Sequence, residues 1–178
     1  MGNVIEWVNQ PISGNAVAHA QGQMLALQTG PVRAHLWRPR GEGRASDGAA
    51  LQRCADVFEA RGNVDIAALG GAFVVLLTDE RDGAFALAND RLGICPVYYV
   101  AGKDRLCFAS DADALAGSRD FQREFDAQAI YDYVFFHCIP SPRTIYRGMY
   151  KLEPASVLRG NGAKVERSEE HTSELQSL

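Results

Sequence analysis

The chain has 178 residues, of which 47% are apolar and 22% charged, and its formal net charge is -4. This composition is ordinary for a globular protein, and the length suffices for one domain with its own core. The negative charge does not favour nucleic-acid binding, and no apolar run reaches the ~20 residues of a membrane span. The first residues lack the basic-then-apolar order of a secretory signal. We therefore expect a cytoplasmic protein that binds neither nucleic acid nor membrane.

Apolar runs separated by short polar turns predict three antiparallel hairpins. Their strands are expected at residues 24–29 with 32–37, 72–78 with 84–88, and 97–100 with 105–109. Residues 72–78 are nearly all apolar, which is typical of a strand covered on both faces. A last strand is expected near residues 157–158.

Helical spacing and capping residues predict three helices around these hairpins. Their expected caps are Ser46 or Asp47 for the first, Ser110 with Asp111 for the second, and Asp126 for the third. Gly62 is expected to end the first helix, and Pro140 with Pro142 to stop the third. The expected inner face of the third helix consists of Ile130, Tyr133, Val134 and Cys138. Hairpins with helices before and after them favour a layered α+β domain.

The four cysteines show no CxxC pair and no zinc-site spacing. They are Cys54, Cys95, Cys107 and Cys138. We interpret them as reduced, mostly buried small hydrophobic residues. The histidines have no ligand spacing either, so no metal site is predicted.

Four stretches carry a more specific signal. They are LGGAF at residues 69–73, NDRLGICPVYY at 89–99, FASD at 108–111 and IPSPRTIYRGMYKLEP at 139–154. In order and spacing they resemble the asparagine synthase family, in its N-terminal class II glutamine amidotransferase domain. The resemblance covers roughly residues 50–165. It implies an N-terminal-nucleophile hydrolase-like fold, a four-layer αββα sandwich with antiparallel sheets, and we expect this domain to span residues 1–166.

We interpret the residues of these motifs as structural and not catalytic. Gly70 and Gly71 are expected to allow a close approach of backbone before a buried strand. Asp90 is expected to pair with Arg91 and fix the loop that leads into the last hairpin, in which Gly93 takes a positive φ.

The resemblance also implies a partner. In the family, a C-terminal synthetase domain binds ATP and magnesium, activates aspartate and accepts ammonia released from glutamine. We expect that domain, glutamine at most weakly, and a second copy in a full-length homodimer as partners. No cofactor is expected in residues 1–166 themselves.

Glutamine hydrolysis in the family needs a cysteine whose own free α-amine takes part in proton transfer. Here Gly2 follows Met1, and the HRGPD and NGEIYN segments of the family's glutamine pocket are absent from residues 1–48. We therefore assign no catalytic residue and expect the chain alone to be inactive. Asp47 resembles the acidic residue of the family's GSD segment, which implies a charge-assisted hydrogen bond to the α-ammonium of glutamine. The alternative is that Asp47 is only a helix cap.

Three interpretations remain open. The domain is a degenerate glutaminase with a structural role, as in β-lactam synthetases and lasso-peptide cyclases. Alternatively, it belongs to an active glutamine-hydrolysing asparagine synthase whose start lies upstream of Met1. The third, a stand-alone binding module, is disfavoured by the arm at residues 139–154.

The last residues have a different character. Residues 167–178 read RSEEHTSELQSL, without apolar periodicity. They resemble the translation of a sequencing-library adapter. We expect an artefactual, disordered tail and a reading frame that left the natural protein near Glu166.

Overall fold

The computed structural model describes residues 5–8, 22–101, 105–118, 121–161 and 164–169. In chain order its strands are β1 (Ile5–Val8), β2 (Gly22–Thr29), β3 (Val32–Pro39), β4 (Val74–Asp79), β5 (Ala84–Asn89), β6 (Tyr98–Ala101), β7 (Arg105–Ala109), β8 (Tyr150–Lys151), β9 (Ser156–Asn161) and β10 (Lys164–Glu169). The helices are α1 (Asp47–Arg61), α2 (Ala112–Ala116) and α3 (Ala127–Phe136), with a short 3₁₀ turn at Ile66–Ala68.

The strands form two antiparallel sheets. One has six strands in the order β10-β9-β5-β4-β3-β2, and the other has four in the order β1-β7-β6-β8. The three predicted hairpins are confirmed as β2–β3, β4–β5 and β6–β7. In β4, Val75 and Leu77 face one core while Leu76 faces another, so this strand is covered on both faces as its apolar run predicted.

Three hydrophobic clusters show how the layers stack. The first joins Leu51, Cys54 and Phe58 of α1 to the six-stranded sheet. The second lies between the two sheets and includes Trp37, Leu76, Leu87, Tyr99, Leu106 and Phe108. The third packs α2 on the outer face of the four-stranded sheet. The predicted αββα arrangement with antiparallel sheets is therefore confirmed.

The ends of the helices follow local chemistry. Asp111 caps α2 by accepting a hydrogen bond from the Asp113 amide at 3.1 Å, and Asp126 caps α3 through the Gln128 amide at 2.9 Å. Gly62 ends α1 with φ 64°, as predicted. The third helix already ends at His137, which takes the left-handed conformation with φ 58° before Pro140 is reached.

The start of α1 differs from the prediction. Ser46 occupies the cap position but its side chain makes no capping hydrogen bond. Asp47 is the first residue of the helix, so its interpretation as the cap is wrong. Its carboxylate instead accepts hydrogen bonds from Arg38 and from the Arg44 amide. The charge-assisted hydrogen bonds from Arg38 of β3 are stronger than a capping hydrogen bond from a neutral backbone amide, so they determine the position of the Asp47 carboxylate.

The predicted inner face of α3 is wrong. Ile130, Tyr133 and Val134 are 44%, 57% and 70% exposed, and Cys138 is exposed as well. The buried positions of this helix are Ala129 and Asp132. Nearly every residue of α3 is apolar, so the sequence contains no polar stripe to mark the outer face.

The end of the described chain continues past the expected boundary. β10 pairs with β9 up to Glu169, three residues into the segment that we expect to be a tail. The boundary at Glu166 stays a prediction. None of the helices that the structure describes is both long and apolar enough to cross a membrane.

Candidate functional site

A cavity of about 600 Å³ opens where the β2–β3 hairpin meets the start of α1. It is lined by Met24, Leu25, Leu36, Arg38, Gly43, Arg44, Ala45, Asp47 and Gly48. Met24, Leu25 and Leu36 on the strands give the cavity an apolar wall. Its charged groups are Arg38 at the end of β3, and Arg44 and Asp47 where α1 begins. The cavity therefore combines an apolar wall with one carboxylate and two guanidinium groups.

Arg38 and Asp47 form a buried ion pair at the floor of this cavity. The guanidinium Nη2 donates to Oδ1 at 2.6 Å, and Nε donates to Oδ2 at 2.9 Å. This two-pronged geometry is the strongest arrangement available to an arginine and a carboxylate. The pair fixes the end of β3 to the first turn of α1.

The remaining donors of Arg38 hold a third segment. Its Nη1 donates to the carbonyls of Gly70 and Ala72, both at 2.9 Å, and its Nη2 donates to the carbonyl of Leu69 at 2.7 Å. All five N–H groups of the guanidinium are therefore satisfied. Arg38 cross-links β3, α1 and the segment that enters β4, so its first role is to build the cavity floor.

Asp47 retains limited capacity for a ligand. Besides Arg38, the Arg44 amide donates to its Oδ2 at 2.8 Å. Burial acts to raise the pKa of Asp47, but the hydrogen bonds from Arg38 and the Arg44 amide outweigh burial and lower it. A carboxylate offers about four acceptor sites, and three are occupied here. Roughly one acceptor site is left on Asp47 for an ammonium group, and its binding of glutamine stays a prediction.

Arg44 lies across the glycine pair. Gly70 and Gly71 take φ values of 52° and 67°, and a Cβ on Gly70 would lie 2.9 Å from Nη1 of Arg44. The group that comes close to this pair is thus the guanidinium side chain of Arg44, and the predicted close approach of backbone is wrong. The glycines leave room for the Arg44 side chain along the wall of the cavity.

The loop at residues 89–97 is organised by Asp90. Its buried carboxylate accepts hydrogen bonds from the amides of Leu92, Ile94 and Cys95 at 2.9 to 3.0 Å. Gly93 takes φ 64° as expected. Backbone amides therefore fix the loop, and a pairing of Asp90 with Arg91 stays a prediction.

The four cysteines are free. Cys54 is buried on α1 and donates to the Asp65 carbonyl, and burial, followed by the charge of Asp65, raises its pKa to about 12. Burial, followed by the charge of Asp90, raises the pKa of Cys95 to about 11. Cys107 is half-buried in β7, and Cys138 is exposed beyond α3. Cys54 and Cys95 are thus protonated thiols, which are poor nucleophiles.

The sequence contained a signal for Arg38 that the motif search missed. Along β3, Val32, Ala34 and Leu36 face α1, and Arg38 continues the same alternation. A cation in phase with a buried face needs an anion within reach. That rule would have linked Arg38 to an acidic residue of the next element.

In the described ranges, no group of three or more His, Cys, Asp or Glu side chains is placed to hold a metal ion.

Comparison with known proteins agrees with the fold and the motifs. The family model described as "Glutamine amidotransferase domain" matches residues 45–172, more than half of the chain. The chain therefore belongs to the glutamine amidotransferase domain family.

Within that family, the chain is related to asparagine synthetases. It is 33% identical over 88 residues to asparagine synthetase [glutamine-hydrolyzing] 1 of Bacillus subtilis, covering 49% of this chain and 14% of that protein. It is 34% identical over 85 residues to asparagine synthetase [glutamine-hydrolyzing] 2 of Arabidopsis thaliana, covering 47% and 15%. The aligned segments thus span only a small part of these relatives. Among solved structures, glutamine phosphoribosylpyrophosphate amidotransferase of B. subtilis aligns with TM-score 0.42 and 14% identity, covering 85% of this chain and 32% of that one.

Proposed function

We propose that the chain is the amidotransferase part of an asparagine-synthetase-like protein and that its residues, in the form given by this sequence, do not hydrolyse glutamine. The single observation that carries the first half is the family match over residues 45–172 together with asparagine synthetase relatives. On this proposal, ATP and magnesium are bound by a separate synthetase part, which converts aspartate to asparagine with ammonia. The free cysteines support a cytoplasmic location.

The second half of the proposal is supported by the state of the thiols. An amidotransferase of this kind needs a thiolate beside a free amine. Cys54 and Cys95 have raised pKa values, about 12 and about 11, and the nitrogen of each lies in a peptide bond. Cys107 and Cys138 are likewise internal residues. None of the four cysteines combines a thiolate with a free α-amine.

The cavity at Arg38 and Asp47 is the proposed place for glutamine. A free amino acid carries an ammonium and a carboxylate, and the cavity offers Asp47 for the first and the exposed guanidinium of Arg44 for the second. Met24 and Leu36 provide the apolar wall for the side-chain methylenes. Since Asp47 is already engaged by Arg38, we expect weak binding. This engagement also favours the second candidate, a purely structural domain like that of β-lactam synthetases.

An ammonia-release assay tests the catalytic half. The purified chain with glutamine should release no ammonia above a protein-free blank, while asparagine synthetase 1 of B. subtilis serves as the positive control. Ammonia release that iodoacetamide abolishes would show a working cysteine and refute the proposal.

Calorimetric titration with glutamine tests the cavity. We expect a millimolar Kd that weakens about tenfold in Arg44→Gln, because the variant removes the cation but keeps the backbone amide that holds Asp47. Arg40→Gln is the matched control, since Arg40 is exposed and does not line the cavity. No binding by the wild-type chain would favour the purely structural role.

A further inference from the structure

The strand β2 lies at the edge of the six-stranded sheet without the usual protection of an edge. In the described part of the chain, β3 is its single strand neighbour. Its sequence, GQMLALQT, contains no charged residue and no proline, which are residues that normally prevent an edge from pairing with another chain. Met24 and Leu25 point to opposite faces of the sheet and are 48% and 39% exposed. The strand is therefore accessible from both faces.

The register of the hairpin shows which backbone groups β2 offers at its free edge. Thr29 and Val32 close a two-residue turn, so they form a hydrogen-bonded pair, and such pairs alternate with non-hydrogen-bonded pairs along the ladder. Met24, Ala26 and Gln28 fall in the non-hydrogen-bonded pairs. Their amide and carbonyl groups therefore point away from β3, where they can bind an extended chain laid beside β2.

The cavity next to Arg38 and Asp47 lies at one end of this edge. Met24 and Leu25 both line it although they point to opposite faces, so the cavity reaches around the edge of β2. Its volume of about 600 Å³ is typical of pockets for drug-sized ligands, which are larger than a free amino acid. Arg38 and Asp47 neutralise each other at its floor. The charge that a ligand must bring is therefore determined by Arg44.

The guanidinium of Arg44 is available to an anion. It lies over Gly70 and Gly71, which have no side chains in its way. Within the ranges that the structure describes, no carboxylate lies at ion-pair distance from this guanidinium, although the backbone amide of Arg44 donates to Asp47. Arginine binds a carboxylate through two parallel hydrogen bonds. The cavity thus offers a place for one carboxylate at the end of the β2 edge.

The direction of the strands determines which carboxylate reaches Arg44. All strand pairs of this sheet are antiparallel, which is also the more stable arrangement per residue. Because β2 begins at the cavity end, an antiparallel neighbour runs towards the cavity and ends there. Its C-terminal carboxylate meets Arg44, and its last side chain meets the apolar wall. A second copy of β2 would bring its turn at residues 30–31 to this place, and that turn has no carboxylate.

We propose that β2 and the cavity form a binding site for the C-terminal segment of a polypeptide. The segment adds to the sheet as an antiparallel strand beside β2, its terminal carboxylate pairs with Arg44, and its apolar last side chain enters the cavity. Main-chain hydrogen bonds provide affinity, and the carboxylate and the pocket provide specificity for a chain end. The inference goes beyond the proposed glutamine site, which shares Arg44 but does not use the edge of β2.

Calorimetric titration of the full 178-residue chain with an acetylated hexapeptide tests the site. In this peptide threonine and valine alternate, and leucine is the last residue. We expect saturable binding that weakens at least tenfold when the C-terminus of the peptide is amidated. Arg44→Gln should weaken binding of the acid peptide at least tenfold and leave binding of the amide unchanged. No saturable binding of the acid peptide, or equal affinities for acid and amide, would overturn the proposal.

Two variants of β2 test the edge separately from the cavity. Ala26→Pro removes an amide that points outward, which an edge strand tolerates. It should therefore keep the circular dichroism spectrum of the wild type but weaken peptide binding at least tenfold. Ala26→Val is the matched control, because it keeps the amide and should bind the peptide like the wild type. Equal peptide affinities in the two variants would contradict docking at the edge.

Two further measurements separate this site from other uses of the same surface. Glutamine binding should be unchanged in Ala26→Pro, since a free amino acid needs no strand edge. A wild-type chain that binds the peptide but not glutamine would refute the glutamine site alone. Sedimentation velocity tests the second copy as occupant: self-association that Ala26→Pro abolishes and that the peptide does not displace would overturn the proposal.

Discussion

The guanidinium of Arg38 and the carboxylate of Asp47 are joined by two hydrogen bonds where only 2% and 11% of their side chains are exposed. Taking such a pair out of water is costly, and the cost is offset only when both groups keep all their partners. Arg38 satisfies this condition with three backbone carbonyls in addition to Asp47. The pair therefore behaves as one unit that connects the sheet, α1 and the entry to β4.

Removing one member of the pair should destabilise the domain strongly. Asp47→Ala leaves the buried guanidinium of Arg38 without a counter-ion, so we expect the free energy of unfolding to fall by about 3 to 5 kcal/mol in urea denaturation. Glu124→Ala is the control, because it breaks the exposed Arg147–Glu124 pair and should cost at most about 1 kcal/mol. The double variant Arg38→Met with Asp47→Leu should lose less than Asp47→Ala. Equal losses for Asp47→Ala and Glu124→Ala would contradict this account.

The same pair predicts a pH dependence of stability. The pKa of Asp47 in the folded protein lies below its ordinary value of 3.8, so the folded state holds this proton less tightly than the unfolded state does. The resulting stabilisation is fully present above pH 3.8 and is lost as the pH falls through the folded-state pKa. The free energy of unfolding, measured by urea titrations between pH 6 and pH 2.5, should decrease at the acid end. Asp47→Ala should show a smaller decrease, and an unchanged slope would refute the assignment.

The loop that follows β5 depends on Asp90. Asp90→Ala removes the acceptor of three backbone hydrogen bonds in a buried place, so a loss on the order of 3 kcal/mol is expected in urea denaturation. Asp82→Ala is the matched control, because the Asp82 carboxylate accepts a single backbone hydrogen bond, from Ala84, at an exposed turn. Similar losses in both variants would show that the carboxylate of Asp90 does not organise the loop.

The elements that could be predicted from the sequence are those with regular hydrophobic periodicity and a glycine at the turn or helix end. β2 and β3 flank the turn at Gly30, β3 alternates between apolar and polar residues, and α1 ends at Gly62, so the hairpin strands and the end of α1 are predicted to within two residues. The cavity could not be predicted in the same way, because Arg38 and Asp47 meet only after the chain has folded. Their partnership depends on the phase of β3, which a search for family motifs does not consider.

The orientation of α3 shows a different limit. Apolar residues occupy almost every position of α3, so the two faces of the helix do not differ in hydrophobicity. The face that packs is therefore determined by contacts with residues outside the helix. Here Arg143 draws Asp132 inward, and the small Ala129 allows the helix to approach the domain. The polar residue is therefore inside and the aromatic residues are outside, the reverse of the usual rule.

Differences in thiol reactivity provide a test that covers the whole domain. With Ellman's reagent at pH 8, the exposed Cys138 should react first, and the half-buried Cys95 and Cys107 more slowly. Cys54 should react only when the protein unfolds, because it is buried and its pKa is about 12. Cys138→Ser should therefore abolish the fast phase, whereas Cys54→Ala should leave that phase intact.

The raised pKa of Cys54 also predicts the direction in which the stability of the protein changes at high pH. The folded state keeps this proton up to about pH 12, while an unfolded chain releases it near pH 9. Its contribution is thus fully present below pH 9 and is lost as the pH rises above that value. Wild-type stability should fall between pH 9 and pH 10.5 more steeply than that of Cys54→Ala in urea titrations. Parallel curves would mean that Cys54 is solvated in the folded protein, in contradiction to its position on the buried face of α1.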